Sequence, residues 1–381
     1  MRLIVLALTA VLALSATLAI SQHRGSSCGR PGQWLLPGQP PAPVAAGELI
    51  ERMAARRVVL LGETHDSAED HRWQLHTLAQ LHARRPALAL GLEMFPRRLQ
   101  PVLDRWVAGE LDEQAFLRQS EWETVWGYDA RDYLPLFHYA RMHRLPLLAL
   151  NVDRRLPEAI GRRGWDAVPV AEREGLGRPA PPAADYREQL RRIYDHHPAG
   201  DRENASFERF IEAQTVWDRA MAEGIAAHLK AVPDALVVGI LGAGHVRHGH
   251  GVAHQLRDLG IRDAAGLLTW DPRAGCERLR PGLADAVFVQ GELPGNPPRL
   301  GVATEPVEGG LRITEVSAGS VAEATGLRRG DVILQIAGRP AKNLQVLRGV
   351  VQQQVPGTWL PLRIRRDGSE QEVVARFPPP G

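Results

Sequence analysis

Four times in this chain an uninterrupted apolar run stops abruptly at an acidic, amide or histidine side chain. Val58-Val59-Leu60-Leu61-Gly62 runs into Glu63-Thr64-His65-Asp66, and Ala87-Leu88-Ala89-Leu90-Gly91-Leu92 ends in Glu93. Leu145-Pro146-Leu147-Leu148-Ala149-Leu150 ends in Asn151, and Leu236-Val237-Val238-Gly239-Ile240-Leu241 ends in Gly242-Ala243-Gly244-His245. Continuous apolar runs of this length describe strands buried on both faces, the pattern of parallel sheets in α/β proteins. Sites in such sheets lie beyond the carboxyl ends of the strands. Glu63, His65, Glu93, Asn151 and His245 are therefore expected on one sheet edge, despite their distance apart in the chain.

Helical patterns separate the runs. Ser67 can cap a helix that continues through Trp73, Leu75, Leu78 and Leu81 until Pro86 stops it. Residues 97–119 and 130–143 read as further helices. This βαβα order predicts a parallel, doubly wound sheet over residues 46–290. Residues 154–234 break the rhythm. They read as a helical insertion whose last helix carries Phe207, Phe210, Ile211, Trp217, Met221, Ile225 and Leu229 on one face. Gln214 and Asp218, four apart beside that face, are expected to cover the carboxyl edge. Runs at 236–241, 264–269 and 285–290 complete the domain. Pro and Gly residues at 291–298 mark a linker, and 299–381 reads as a small β-rich domain with Asp367-Gly368 as a hairpin turn.

A chain of 381 residues has room for two or three domains, and its formal net charge of +2 gives no basic field for nucleic acid. Met1-Arg2, an apolar stretch from Leu3 to Ile20 and small residues beyond it describe a signal peptide or a membrane anchor over 1–28. The expected location is exported, in the periplasm or envelope. Cys28 is open to two readings, lipid attachment or a disulfide with Cys276, the only other cysteine. Residues 29–45, rich in Gly, Pro and Gln, read as a linker.

Two resemblances follow from these motifs. Leu300-Gly301-Val302, the segment Ser320 to Leu334 with its Gly330-Asp331 pair, and the helix Asn343 to Gln353 resemble a PDZ domain of the bacterial exported type. The resemblance implies capture of a protein C-terminus or extended peptide by strand addition, with Leu300, Gly301 and Val302 holding the carboxylate. Residues 46–290 resemble the ChaN-like family of the Tiki superfamily, also described as haem-binding uptake proteins. The matching pieces are Gly62-Glu63-Thr64-His65, Leu92-Glu93-Met94-Phe95, Leu150-Asn151, Gln214 with Trp217-Asp218, Gly242-Ala243-Gly244-His245, and His248-Gly249-His250-Gly251. That resemblance implies an α/β fold and a surface lipoprotein that binds haem or a small iron compound. Superfamily relatives include metal-dependent proteases and esterases.

The candidate ligand-binding set is Glu63, His65, Glu93, Tyr128, Asn151, Gln214, Asp218, His245 and His248. His65 and His245 could hold a divalent metal ion, with Glu63 or Glu93 as catalytic base if the protein is a hydrolase. Haem needs an apolar slot and an axial ligand. Trp122, Trp126, Tyr128, Tyr133, Met94, Phe95, Trp217 and Met221 are candidate slot residues, with Tyr128, Tyr133, His65, His245 or His248 as axial ligand. Arg97 or Arg98 could neutralise a strand-end carboxylate. His71, His76, His82 and His196-His197 read as solvated helix faces. Three functions stay open: haem or iron-compound binding, metal-dependent hydrolysis, and a non-catalytic envelope adaptor. A haem slot open on one side would favour a homodimer.

Overall fold

The structure, a computed structural model, describes residues 28–196, 206–291, 298–355 and 357–379. The leader ahead of Cys28, His197 and the middle of the 291–298 linker lie outside the described residues.

The first sheet has eight strands: β1 (Trp34–Leu36), β2 (Ala42–Val44), β3 (Val58–Glu63), β4 (Leu88–Pro96), β5 (Leu147–Asn151), β6 (Leu236–Gly242), β7 (Ala264–Trp270) and β8 (Ala286–Val289). Their order is β2-β1-β8-β7-β3-β6-β4-β5. From β8 to β5 all neighbours are parallel, and β1 and β2 add an antiparallel hairpin at one edge. The apolar runs behave as their composition requires. Val59 and Leu61 enter one core layer, while Val58 and Leu60 enter the layer on the opposite face. Each such buried aliphatic side chain stabilises the fold by about 1.5–3 kcal/mol relative to exposure.

Helices α1 (Ala46–Ala54), α2 (Ala68–Arg84), α3 (Gln100–Val107), α4 (Glu113–Gln119), α5 (Trp122–Val125) and α6 (Ala130–His143) connect the early strands. Ser67 caps α2 as expected, accepting from Asp70 N, and Asp70 Oδ2 accepts from Thr64 N at 2.7 Å. The helix expected over 97–119 is divided at Gly109, whose φ of 84° ends α3. The insertion contributes α7 (Arg155–Arg163), α8 (Ala184–His196) and α9 (Phe207–Ala231). Val216 and Ala220 of α9 pack with Leu156 and Ile160 of α7 in a satellite core. Met221, Ile225 and Leu229 seal α9 onto the sheet. Short helices α10 (Ala243–Val246) and α11 (Val252–Asp258) follow β6.

Residues 29–45 are not a free linker. Trp34 stacks edge-on with Phe288 at 5.2 Å and packs against Trp73 at 6.1 Å, while Leu35 is buried in the opposite layer. Glycine and proline density suggested coil, but three apolar residues suffice to pair with β8 and cover its open edge. Cys28 is fully buried and disulfide-bonded to Cys276, with Cα atoms 4.9 Å apart. The disulfide alternative is thus the one realised, and a sulfur so bonded cannot carry a lipid. No helix among the described residues is long and apolar enough to cross a membrane.

The C-terminal unit is a separate antiparallel sheet. It holds β9 (Val302–Val307), β10 (Gly310–Val316), β11 (Val332–Ile336), β12 (Arg339–Pro340), β13 (Trp359–Arg366) and β14 (Ser369–Arg376), with α12 (Val321–Thr325) and α13 (Leu344–Gln352). Its order is β14-β13-β11-β10-β9, with β12 on β11. Asp367 and Gly368 have φ of 49° and 81°, and Arg366 pairs with Ser369 across this two-residue turn. Arg366 clamps the buried Asp331 with two bonds of 2.7 Å. Strand β9 is at the sheet edge, so its outer backbone groups are open to an added strand.

Candidate functional site

The order β3-β6-β4-β5 brings four strand ends side by side. Glu63 faces Gly242 in the parallel register, and Glu93 follows Leu92, the partner of Ile240. Parallel registry at the ends of adjacent strands is what gathers residues that are remote in sequence.

Glu63 is buried and saturated with partners. Oε1 takes a hydrogen bond from Tyr133 Oη at 2.6 Å and pairs with His65 Nδ1 at 2.9 Å. Oε2 accepts from Gln74 Nε2 at 2.8 Å and lies 3.4 Å from His71 Nδ1. Burial opposes its charge, but these donors and the two imidazoles hold its carboxyl below the usual range. Glu63 therefore orients His65 and has no free lone pair aimed outward.

Glu93 occupies the centre. Its Oε2 accepts from Gly242 N at 2.5 Å, and Oε1 lies 3.5 Å from His245 Nε2. A Cβ at Gly242 would fall 2.9 Å from His65 Cε1 and 3.1 Å from Nε2, so glycine is what lets His65 sit there. His245 Nδ1 pairs with Asp218 Oδ1 at 2.7 Å, and Tyr186 donates to Asp218 Oδ2 at 3.0 Å. Gly251 makes room for this pair, since a Cβ there would lie 2.5 Å from Asp218 Oδ1. Burial works against the His245 charge, but Glu93 and Asp218 outweigh it and push its pKa up to about 9. For His65 too, burial is overcome by Glu63 and Glu93, and its pKa is raised. The cluster thus presents two imidazoles, each fixed through Nδ1 by a buried carboxylate and biased toward the cation.

The rim is aromatic. The Trp126 and Tyr128 rings lie 4.7 and 5.1 Å from the His65 ring. Burial together with Asp66, Glu93 and Glu63 raises the pKa of the Tyr128 phenol. Its hydroxyl makes no hydrogen bond among the described residues. Asn151 donates to Glu93 O at 2.9 Å and accepts from Val152 N at 2.9 Å. It ties two strand ends together rather than facing a ligand.

Several expected residues fall elsewhere. Tyr133 is buried against Glu63 and cannot serve as an axial ligand. Trp122, Met94 and Phe95 are core packing, as is Met221 in the opposite layer. Gln214 is half-buried one turn before Asp218 and takes no part in the cluster's hydrogen bonds. His248 stacks on His250 at 5.2 Å and faces Gly282 O at 3.2 Å, because its left-handed backbone (φ 60°) turns it outward. Arg97 binds Ala220 O at 2.8 Å, and Arg98 pairs with Glu121 and Asp153, so neither serves Glu63 or Glu93. His71, expected on a solvated face, is only 3 % exposed and bonds His65 O at 3.1 Å. Among the described residues no three His, Cys, Asp or Glu side chains stand in a metal-holding arrangement. Nδ1 of each imidazole is taken by a carboxylate, and Glu93 Oε2 by a backbone amide.

The pattern of the haem-binding uptake family (Tiki superfamily, ChaN) matches residues 49–256, and that of a PDZ domain matches residues 298–375. The chain belongs to the ChaN haem-binding uptake family. A solved structure of cofacial haem binding to ChaN of Campylobacter jejuni has the same fold. Its TM-score is 0.53 at 17 % identity, covering 67 % of this chain and 95 % of that one. Probable periplasmic DegP-like serine endoproteases of Chlamydia trachomatis and Chlamydia muridarum are each 34 % identical over 86 residues. Those matches cover 19 % of this chain and 17 % of each relative's length, so the chain spans about a sixth of these curated relatives.

Within this ChaN-family domain, sequence reasoning missed Gln74, His71 and Tyr186. Each is a polar residue on a helix with an apolar face, and only packing shows which polar positions turn inward. The spacing of His71 and Gln74, three apart on the first turns of α2 after Glu63, was the available signal.

Proposed function

We propose that this protein is an exported, envelope-associated binder of haem or a small iron compound, and that its PDZ domain docks an extended peptide or protein C-terminus. The observation that carries the reading is Tyr128. Its phenol sits on the rim beside His65 and Trp126, without a hydrogen-bond partner among the described residues. Tyrosinate is an established haem-iron ligand, and the aromatic ledge suits a porphyrin face. The donor set fits haem better with Tyr128 as ligand than with either histidine. Both imidazoles are already paired through Nδ1 with buried carboxylates, whereas the Tyr128 hydroxyl has no partner among the described residues. His65 and His245 would instead donate toward bound anionic groups. The side chain of Arg247, two residues after His245, makes no hydrogen bond or ion pair among the described residues and is suited to a propionate. Tyr128 offers a single ledge, so a second copy of the chain is the natural cover for the other haem face. Export is supported by the leader pattern, by a disulfide of the kind that persists in oxidising compartments, and by the likeness to periplasmic PDZ proteins.

Absorbance titration with haemin tests this. The wild type should develop a shifted Soret band saturating at one equivalent per chain. Tyr128→Phe should weaken binding at least roughly tenfold, as expected for loss of an iron ligand. Unchanged binding by Tyr128→Phe would remove Tyr128 from the role, and no saturable binding by the wild type would end the haem reading.

One observation favours a second reading. Asp218, His245 and Glu93 form a carboxylate–imidazole–carboxylate series suited to general acid–base chemistry on an ester or peptide. Ester turnover by metal-analysed, haem-free protein, lost in His245→Ala, would support hydrolysis.

A further inference from the structure

The PDZ domain meets the first domain at the carboxylate of Asp129. Asp129 caps α6, accepting from Arg131 N at 3.0 Å. Its Oδ2 also accepts from two PDZ side chains, Gln353 Nε2 at 2.9 Å and Arg339 NH1 at 3.3 Å. The Asp129 side chain, which also pairs with Arg131 of its own helix at 2.7 Å, is only 8 % exposed. Gln345 and Gly349 of α13 and its C-cap Gln353 recur every four residues and form one stripe. Gln345 Oε1 would lie 3.3 Å from a Cβ on Gly127, and Asp129 Cβ would lie 3.7 Å from a Cβ on Gly349. The stripe points away from Leu347, Val350 and Val351, which pack in the PDZ core. Strand β9 keeps its open edge.

The docked stripe rests on the segment that covers the candidate site. Trp126 and Tyr128 pack on His65, and Tyr133, one turn into α6, reaches Glu63. The segment is thus pinned inside by Glu63 and outside by the PDZ domain. An inter-domain contact of so few side chains is easily displaced, and α13, which makes it, packs in the same PDZ core as the edge strand β9.

We propose that the PDZ domain, docked through α13 on Asp129, holds residues 126–133 closed against His65, so that displacing it opens the strand-end site and weakens ligand binding there. The ligand half rests on the haem reading above. By linkage, ligand at the site tightens PDZ docking by the same factor.

Two full-length variants test this without touching the site. Gly349→Leu drives bulk into Asp129 while improving helix propensity. The double variant Arg339→Glu with Gln353→Glu sets two carboxylates against Asp129. Hydrogen–deuterium exchange at residues 126–133 should speed up by about tenfold in both, within the usual range of coupling. Exchange in β10 and β11 should stay unchanged, showing that the PDZ domain is folded. Haemin affinity should fall by a similar factor. Unchanged exchange at 126–133 in both variants overturns the proposal, as does faster exchange with unaltered haemin affinity. If the wild type does not bind haemin, the ligand reading fails, and the exchange comparison alone decides whether docking closes the segment.

Discussion

Replacing Asp218 by Asn should move the titration of His245 by an amount the structure allows to be worked out. In the wild type Asp218 and Glu93 hold this imidazolium at a pKa of about 9, against an ordinary value of 6.5. That difference corresponds to roughly 3 kcal/mol of stabilisation of the charged form. A raised pKa in the folded state contributes its full stability below the unfolded value, and the contribution is lost as pH rises through the folded value. The window is therefore pH 6.5 to about 9. Asn keeps the shape of Asp218 and can still accept from Tyr186, but it removes the closer carboxylate and leaves Glu93 at 3.5 Å. Loss of one adjacent opposite charge should lower the His245 pKa by about 1–2 units. NMR titration of histidine rings in ligand-free protein, assigned with His245→Gln, reads this directly. Urea unfolding gives an independent check. The wild type should exceed Asp218→Asn by about 1.5–3 kcal/mol more at pH 6 than at pH 9.5. A wild-type His245 that titrates near its ordinary value, or a stability difference that is flat across the window, would refute the reasoning.

Cys276→Ser should lower stability by about 2–5 kcal/mol, because the bond to Cys28 closes a loop with a sequence separation of 248; urea midpoints of oxidised and reduced wild type should bracket the variant. Tyr133→Phe should cost about 1–3 kcal/mol by taking a donor from the buried Glu63, and should raise the carboxyl's pKa; a loss below 0.5 kcal/mol by denaturation would mean that the bond is unimportant. Gly301→Ala should abolish capture of C-terminal peptides from a displayed library by the full chain. Gly301 has a φ of 84°, and a Cβ there would lie 2.2 Å from Ser320 Cβ.

The strand ends were legible because a buried parallel strand announces both its interior and its stop. Glu63, His65, Glu93 and His245 could be placed together from the apolar runs alone, and Asp218 from its position on the amphipathic α9. Roles were less legible. Nothing local to Glu63 shows that Tyr133 and Gln74 saturate it, since both arrive from helices whose rotation depends on packing. His71 looked solvated because α2 has a polar composition, yet the first turns of that helix meet the Glu63 carboxylate while Leu78 and Leu81 further along enter the apolar core. The pairing of β1 with β8 is a long-range contact of three residues, too short to carry a periodic signal. The His248 ring was misplaced because a single left-handed residue reverses its direction, and only the backbone reveals that.

The registry between Glu63 and Gly242 sets how freely this protein can change its length. All contacts that define the cluster are made at strand ends or in the short turns that follow them, apart from those supplied by α2, α6, α8 and α9. Segments added between α7 and α9 would leave the strand ends where they are. A single residue added or removed inside β3, β4 or β6 would shift a whole strand end by one position and exchange its two faces. Descendants of this chain can therefore vary widely in the insertion, and in what it lays over the site, while strand length stays fixed. Diversity of ligand should be sought in the covering segments, and constancy in the spacing from each apolar run to its terminal acid or histidine.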